Sequence, residues 1–409
     1  MKRRQAIKFL TVGMTSLIET VYSSREQYML GSNAKNNYDW ILLYWMPYDN
    51  NLSRFGQPII QMLSKGVKSD NLLVVVQSDF SGAAQLSRSI ISQGKVDTQY
   101  LETADSSSEE VFTQYLAWAQ SRFQAKRWAI VFLGHGGTLM EVSPDEHPNS
   151  PLISEVRWMN LHKINQVIFN FNQSVNLNLE LLFFQNCNKA NIEVHYTFQN
   201  TAKYTLSSQI ELGAPNYYYE QLLKYLSDYP EIDGSQLAKK IMDCERPDMY
   251  HSLTLTNNHY FRYLPEKVNF VINSILQGNI EPIKVFISSL LFSKANSSNN
   301  SDVEAYYYAG ETFVDLEKFL QELTRLSGAN PSAYNDFLFF LKNSLIQRVQ
   351  QNGELLSSRI RHKYQKLSGL GLFLPTNRQK LENYLYLQVY SDLKLVPLFD
   401  AVLFDREKN

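Results

Sequence analysis

Four apolar runs of strand length, WILLYWM (40–46), LLVVV (72–76), WAIVFLG (128–134) and LELLFFQ (179–185), constrain this chain more than any other feature. A strand with one solvated face alternates apolar and polar side chains. These runs are apolar at nearly every position, so each is read as a strand covered on both faces. Helical patterns separate them. SSEEVFTQYLAWAQSRFQ (107–124) puts Val111, Tyr115, Leu116 and Trp118 on one side of a helix, with Ser107 or Ser108 as N-cap and acids in the first turn. A second helix is expected over 160–171. This alternation predicts an α/β fold, a mostly parallel central sheet with helices on both faces.

The remaining chain is read in the same way. Residues 85–101 alternate and predict a hairpin, 137–154 a loop, 191–202 a helix, 203–210 one more strand, and 217–229 the helix after it. From about residue 235 helices dominate: 235–243, 263–276, 281–293, 313–326 and 333–351. The polar run 293–302 reads as an exposed loop or linker. SGLGLFLPTN returns to strand character. The expected organisation is a sheet-containing domain over 38–292 and a mainly helical C-terminal region over 303–409, which returns a strand (369–375) to the core.

Residues 1–23 carry a basic start, an apolar stretch of roughly ten residues and a Val21-Tyr22-Ser23 ending, the pattern of an export signal. Arg3 and Arg4 give it a twin-arginine character. The chain is therefore expected to be periplasmic or extracellular, the alternative being an amphipathic first helix of the fold. No later segment has the apolar length to span a bilayer.

Lys plus Arg number 39 against 40 Asp plus Glu, which leaves no field to draw in nucleic acid or an anionic membrane. The two cysteines, Cys187 and Cys244, are too few for a disulfide framework. No Cys/His group has zinc spacing, and no Gly-rich phosphate loop follows a strand, so neither a metal nor a nucleotide cofactor is expected.

Two residues could do chemistry together. His135 and Cys187 each follow an apolar strand of one parallel sheet, and in such sheets reacting groups collect beyond the carboxyl ends of the strands. A nucleophilic cysteine needs an imidazole that takes its proton and later protonates the leaving amine. Gly136, with no side chain, could direct its N–H at a developing oxyanion. Taken singly, either residue could instead be packing or a turn. Cys244 has no comparable neighbour and is read as structural.

The ordered set of FLGHGG, LLFFQNC, ILLYWMPYDNNL, VVVQSDF, LSSQIELGAPNYYYE and GLGLFLP resembles the clostripain family of cysteine peptidases, over roughly residues 39–376. The resemblance implies a caspase-like three-layer sandwich and hydrolysis of peptide or protein substrates through a thioester. It makes His135 the base, Cys187 the nucleophile and Gly136 an oxyanion donor. Calcium occurs in relatives. The resemblance also points to Gln185, Asn186, Ser208, Gln209 and Glu211 as substrate-binding positions. Gln185 stands where the family has a pocket Asp, and Asn186 where it has Ala. A neutral amide loses the charge-assisted pair with Arg or Lys, worth about 1.5 to 3 kcal/mol, unless another acid such as Glu211 or Glu193 supplies the charge. Asp49 is read as a turn residue. A second reading is a caspase-like binding protein that no longer turns over, which Gln185 and Asn186 would favour and retention of both His135 and Cys187 opposes.

Overall fold

The computed structural model describes residues 37–148, 155–292, 302–353 and 367–404. The expected export segment and nearly all of the 293–302 run lie outside the described residues. A sheet of nine strands runs through the structure in the order β13-β10-β9-β8-β5-β1-β2-β3-β4. Its centre is parallel: β1 (Asn37–Tyr48), β2 (Leu72–Phe80), β5 (Gln124–Leu133), β8 (Leu179–Gln185) and β9 (Tyr204–Ser208). Antiparallel strands extend both edges. β3 (Ser87–Ser92) and β4 (Lys95–Tyr100) form the expected hairpin on one side, and β10 (His251–Asn257) and β13 (Ile346–Asn352) close the other.

The period of two along each central strand sorts its side chains into two cores. Ile41, Leu43 and Trp45 of β1 and Trp128, Ile130 and Phe132 of β5 enter one core. The intervening Trp40, Leu42, Tyr44 and Met46, with Ala129, Val131 and Leu133, enter the other. The first core is closed by α2 (Glu109–Arg122), α3 (Leu161–Ser174), α7 (Leu264–Leu276) and α9 (Leu316–Ser327). The second is closed by α1 (Ser53–Gly66), α5 (Tyr219–Asp228) and α6 (Gly234–Cys244). Both faces are thus buried, which is why the strands read as unbroken apolar runs. Between α3 and α5 lies the short helix α4 (Ile192–Thr197), and α8 (Glu281–Phe292) follows α7. Ser108 caps α2 by accepting from the Val111 N–H, although the buried stripe is Phe112, Tyr115, Leu116 and Ala119 rather than one through Val111 and Trp118.

Several expectations change. The stretch 137–154 is not all loop: β6 (Glu141–Asp145) pairs with β7 (Arg157–Asn160). The helix expected over 333–351 ends early. Helix α10 (Ser332–Phe340) passes through a π turn into β13, because the half-exposed Gln347, Arg348, Gln350 and Gln351 lie on the sheet edge, where pairing with β10 overrides their helical preference. HSLTLTN forms β10 amid sequence read as helical. The returning strand places Leu370, Leu372, Phe373 and Leu374 in the first core. β14 (Gly371–Phe373) joins β11 (Tyr306–Tyr308) and β12 (Glu311–Asp315) in a separate small sheet of order β11-β12-β14; an isolated bridge joins Gly371 to Asn191, the residue before α4. Residue 313 accordingly lies in β12, and Asp315 caps the helix that follows by accepting from the Lys318 N–H at 3.1 Å. The C-terminal region shares the first core with the strands, and from Asn37 onward the chain packs as one unit.

Candidate active site

The strand register brings the two reactive residues to one edge. Leu133 of β5 pairs with Gln185 of β8, and His135 and Cys187 each stand two residues beyond that pair. Adjacent parallel strands lie about 4.8 Å apart, so both side chains enter a common cleft. That cleft, of about 270 Å³, is lined by His135 and Cys187 together with Tyr48, Gln185, Glu211 and Tyr308, among others. Its size is at the low end for ligand sites and suits a peptide side chain better than a bulky cofactor.

The glycines are needed for two different reasons. Gly134 has φ +116°, a conformation L side chains rarely adopt, and it turns the chain out of β5. Gly136 is needed for space: a Cβ there would lie 2.2 Å from the Cys187 carbonyl oxygen. Its peptide is also held. The His135 carbonyl accepts from the Ser143 N–H at 3.0 Å and from the Asn186 side-chain amide at 3.1 Å. Since the peptide is trans, the Gly136 N–H points the opposite way. Gly137 donates to Glu141 and Ser143 to His135, which places Gly136 opposite Val142 in a bridge without direct hydrogen bonds between the two.

Behind this turn sits Lys189, fully buried. Its ammonium donates to the Thr138 carbonyl at 2.7 Å and approaches those of Gly137 and Leu139 at 3.4 Å. Burial brings it down to about 7 against the pull of Glu311 and Glu141. Glu311, from β12, accepts from the Leu139 N–H at 2.6 Å and from the Tyr384 hydroxyl. The loop after His135 is therefore clamped by one cation on its carbonyls and one carboxylate on an N–H.

Burial pushes the Cys187 thiol up, opposed mainly by the Leu212 backbone and by Tyr308. Burial also lowers His135, against the opposite pull of Glu146. The resting pair is thereby biased towards neutral thiol and neutral imidazole. His135 Nε2 lies 2.7 Å from Asn51 Oδ1; an amide oxygen can only accept, so Nε2 carries the proton and Nδ1 the lone pair. The Cys187 sulfur accepts from the Leu212 N–H at 3.3 Å.

The expected binding residues separate into two groups. Gln185 and Glu211 line the cleft. Gln185 is tied down: its amide nitrogen donates to Asn216 at 2.6 Å and to the Tyr219 hydroxyl at 2.7 Å, and its oxygen accepts from Tyr218 at 2.8 Å. Glu211 is exposed on the rim. Asn186, Ser208 and Gln209 correct the expectation, because all three are fully buried and turned to internal partners. Asn186 holds the Gly134 and His135 carbonyls. Ser208 accepts from the Ser252 N–H at 3.1 Å, and Gln209 joins Asp315 to the Gly369 N–H. Glu193 is also buried, accepting from the Phe373 N–H and the Tyr390 hydroxyl, so it supplies no charge to the cleft.

Asp49 is not the turn residue. Asn50 is, donating to the Pro47 carbonyl and accepting from the Leu52 N–H. Asp49 instead meets Asp79 and Asp145 in a buried cluster whose carboxylate oxygens lie within 4.8 Å of one another. His147 Nδ1 is 2.8 Å from Asp49, and the Ser106 hydroxyl lies between Asp79 and Asp145, 2.9 and 3.1 Å from their carboxyl oxygens. Burial and the neighbouring carboxylates lift Asp79 to about 8, and burial lifts Asp145 to about 6. Three carboxylates this close are an oxygen donor set of the kind that hard cations take. The three positions lie far apart in sequence, which is why no local acid motif announced them. Asn51 lies inside the quoted DNNL turn, but Tyr308 and Lys189 had no motif. His195, between Thr256 and Ser207, is a packed ring.

The pattern of the clostripain family matches residues 44–400. No curated protein matches the chain significantly. Among solved structures, a secreted C11 cysteine protease from Bacteroides thetaiotaomicron, in complex with an irreversible peptide inhibitor, superposes with a TM-score of 0.63 at 18% identity, covering 87% of this chain and 99% of that one. An inactive zymogen C11 protease from Parabacteroides distasonis gives 0.61 at 16% identity, over 90% of this chain and 99% of its own. At these identities the likeness is one of fold.

Proposed function

This chain belongs to the clostripain family and is a cysteine-type peptidase, and on that premise we propose that it cleaves peptide bonds through a His135/Cys187 dyad. The observation that carries the reading is the common cleft lined by both residues, each two positions beyond the paired Leu133 and Gln185. His135, neutral at rest, takes the thiol proton as the sulfur attacks the scissile carbonyl. The Gly136 N–H stabilises the oxyanion of the tetrahedral intermediate. The imidazolium returns the proton to the departing amine and leaves a thioester on Cys187. Water, deprotonated by His135, then releases the acid product and restores the thiol.

Specificity is assigned to Glu211. Gln185 cannot pair with a guanidinium as a carboxylate would, and its three hydrogen bonds hold it in a tyrosine network. Glu211 is the carboxylate among the residues lining the cleft, so the reading favours Arg or Lys before the scissile bond. The basic, apolar N-terminal segment supports action outside the cytoplasm, as does the secreted relative. No helix among the described residues is long and apolar enough to cross a membrane.

Purified protein should hydrolyse members of a peptide library varied at the residue before the cut, with a preference for Arg and Lys. Cys187→Ala and His135→Ala should abolish turnover, and Glu211→Gln should weaken the basic preference about tenfold or more, the size of a lost charge-assisted bond. Turnover surviving either dyad substitution would remove the mechanism. An unchanged preference in Glu211→Gln would remove the pocket assignment. Labelling of Cys187 by an acyloxymethyl ketone would exclude a protein without turnover chemistry.

A further inference from the structure

The hairpin of β11 and β12 turns through Ala309 and Gly310, with φ of 48° and 78°, the left-handed pair that a tight two-residue hairpin requires. The turn carries Tyr308 into the cleft beside His135 and Cys187. Its hydroxyl donates to the Gly136 carbonyl at 2.8 Å, and it lines the same cleft as the Cys187 thiol, whose ionisation it favours. A phenol has only one hydrogen to give. While the sulfur is a thiol, that hydrogen rests on the Gly136 carbonyl. Once the sulfur is an anion it can only accept, and it becomes the stronger of the two acceptors.

We propose that Tyr308 is a third catalytic group: when His135 removes the proton from Cys187, the Tyr308 hydroxyl turns from the Gly136 carbonyl and donates to the thiolate. The proton leaving sulfur goes to His135 and the phenolic hydrogen stays on its own oxygen, so the step needs no other acid or base. The proposal rests on the dyad reading above and adds a residue to it from the C-terminal region.

The surroundings show why such a donor matters. Burial is the main force against charge on Cys187, and Glu211 opposes it further. Lys189 favours the thiolate, but its hydrogens are directed at the 137–139 carbonyls. His135, with Glu146 near it, provides the base. Among the described residues the Leu212 N–H donates to the sulfur at 3.3 Å, and Tyr308 is a side-chain donor in the same cleft that can turn to it.

The test uses the full-length protein and its Tyr308→Phe and Tyr308→Ala variants. Iodoacetamide alkylation of Cys187 is followed against pH by mass spectrometry of the Cys187 peptide, and kcat/KM is measured on a peptide that the parent cleaves. Tyr308→Phe should move the alkylation midpoint up by about one to two pH units, the effect of losing a hydrogen bond to a charged group. At neutral pH, alkylation and kcat/KM should fall by about three- to tenfold; the fall is smaller than the loss of thiolate because a more basic thiolate is intrinsically more nucleophilic. Tyr308→Ala should act in the same direction. An unmoved midpoint in Tyr308→Phe would overturn the proposal. So would faster turnover in Tyr308→Ala, which would mean that the ring only covers the cleft. Alkylation needs no turnover, so a shifted midpoint in a protein that hydrolyses nothing would count against the peptidase mechanism rather than against the contact.

Discussion

Replacing Gly136 by alanine tests whether the turn after β5 is held for catalysis or only for packing. The added methyl carbon would lie 2.2 Å from the Cys187 carbonyl oxygen and 3.2 Å from Lys189 Cε. Restoring even a tight contact near 3 Å requires about 0.8 Å of relative movement between the two strand tips. The turn cannot swing away freely, because Lys189 holds the carbonyls of 137–139, Glu311 holds the Leu139 N–H, and Tyr308 holds the Gly136 carbonyl. Overpacking of this kind costs about 1 to 3 kcal/mol, which in a chain of this size is a fall in Tm of roughly 1–4 °C. The catalytic effect should be much larger. Moving a reacting geometry by about 1 Å costs on the order of a hundredfold, and losing an oxyanion donor a hundred- to a thousandfold. The donor acts on the transition state, so the loss should appear in kcat with KM little changed. Steady-state kinetics on one good peptide, beside a thermal melt, measure both. A folded Gly136→Ala variant whose kcat stays within about threefold of the parent would refute the oxyanion role.

Two further outcomes follow from buried polar groups. Gln185→Asp places a carboxylate facing the Tyr218 and Tyr219 hydroxyls at the cleft, and a library of peptides should show cleavage after Arg or Lys rising by about tenfold; an unchanged profile would separate this position from the primary pocket. Asp79, lifted to about 8 by burial and by Asp145 and Asp49, stays protonated in the folded chain between about pH 4 and 8, where the unfolded chain has released that proton. Its ionisation therefore takes stability away as pH rises, at most about 1.4 kcal/mol per pH unit. Asp79→Asn has no such proton, so its Tm should gain on the parent between pH 5 and 8, and a constant gap in paired melts would contradict the assignment.

The parts of the architecture legible in the sequence were those where one local pattern decides the outcome. Burial on both faces made the central strands visible as apolar runs, and Ser108 with two following acids marked the start of α2. The edge strands were harder to read. β13 is built from Gln and Arg residues that favour helix in isolation, and only the unpaired edge of β10, far away in sequence, makes it a strand. The site divides in the same way. His135, Gly136 and Cys187 stand in short motifs beside their strands. Asn186, Ser208 and Gln209 stand near the same motifs, yet they face inward, because a strand end reveals proximity to the cleft but not which backbone groups need a partner. Tyr308, Lys189 and the Asp49, Asp79 and Asp145 cluster acquire meaning only from contacts between distant segments.

The clamp on the loop after His135 has a consequence for synthesis. One half of it, Lys189, is made soon after the nucleophile, but the other half, Glu311, arrives in β12, long after Cys187 has left the ribosome. A nascent chain, or one truncated before this hairpin, lacks the carboxylate that fixes the Leu139 amide, so the loop after His135 gains its second anchor only when about three-quarters of the polypeptide has been produced.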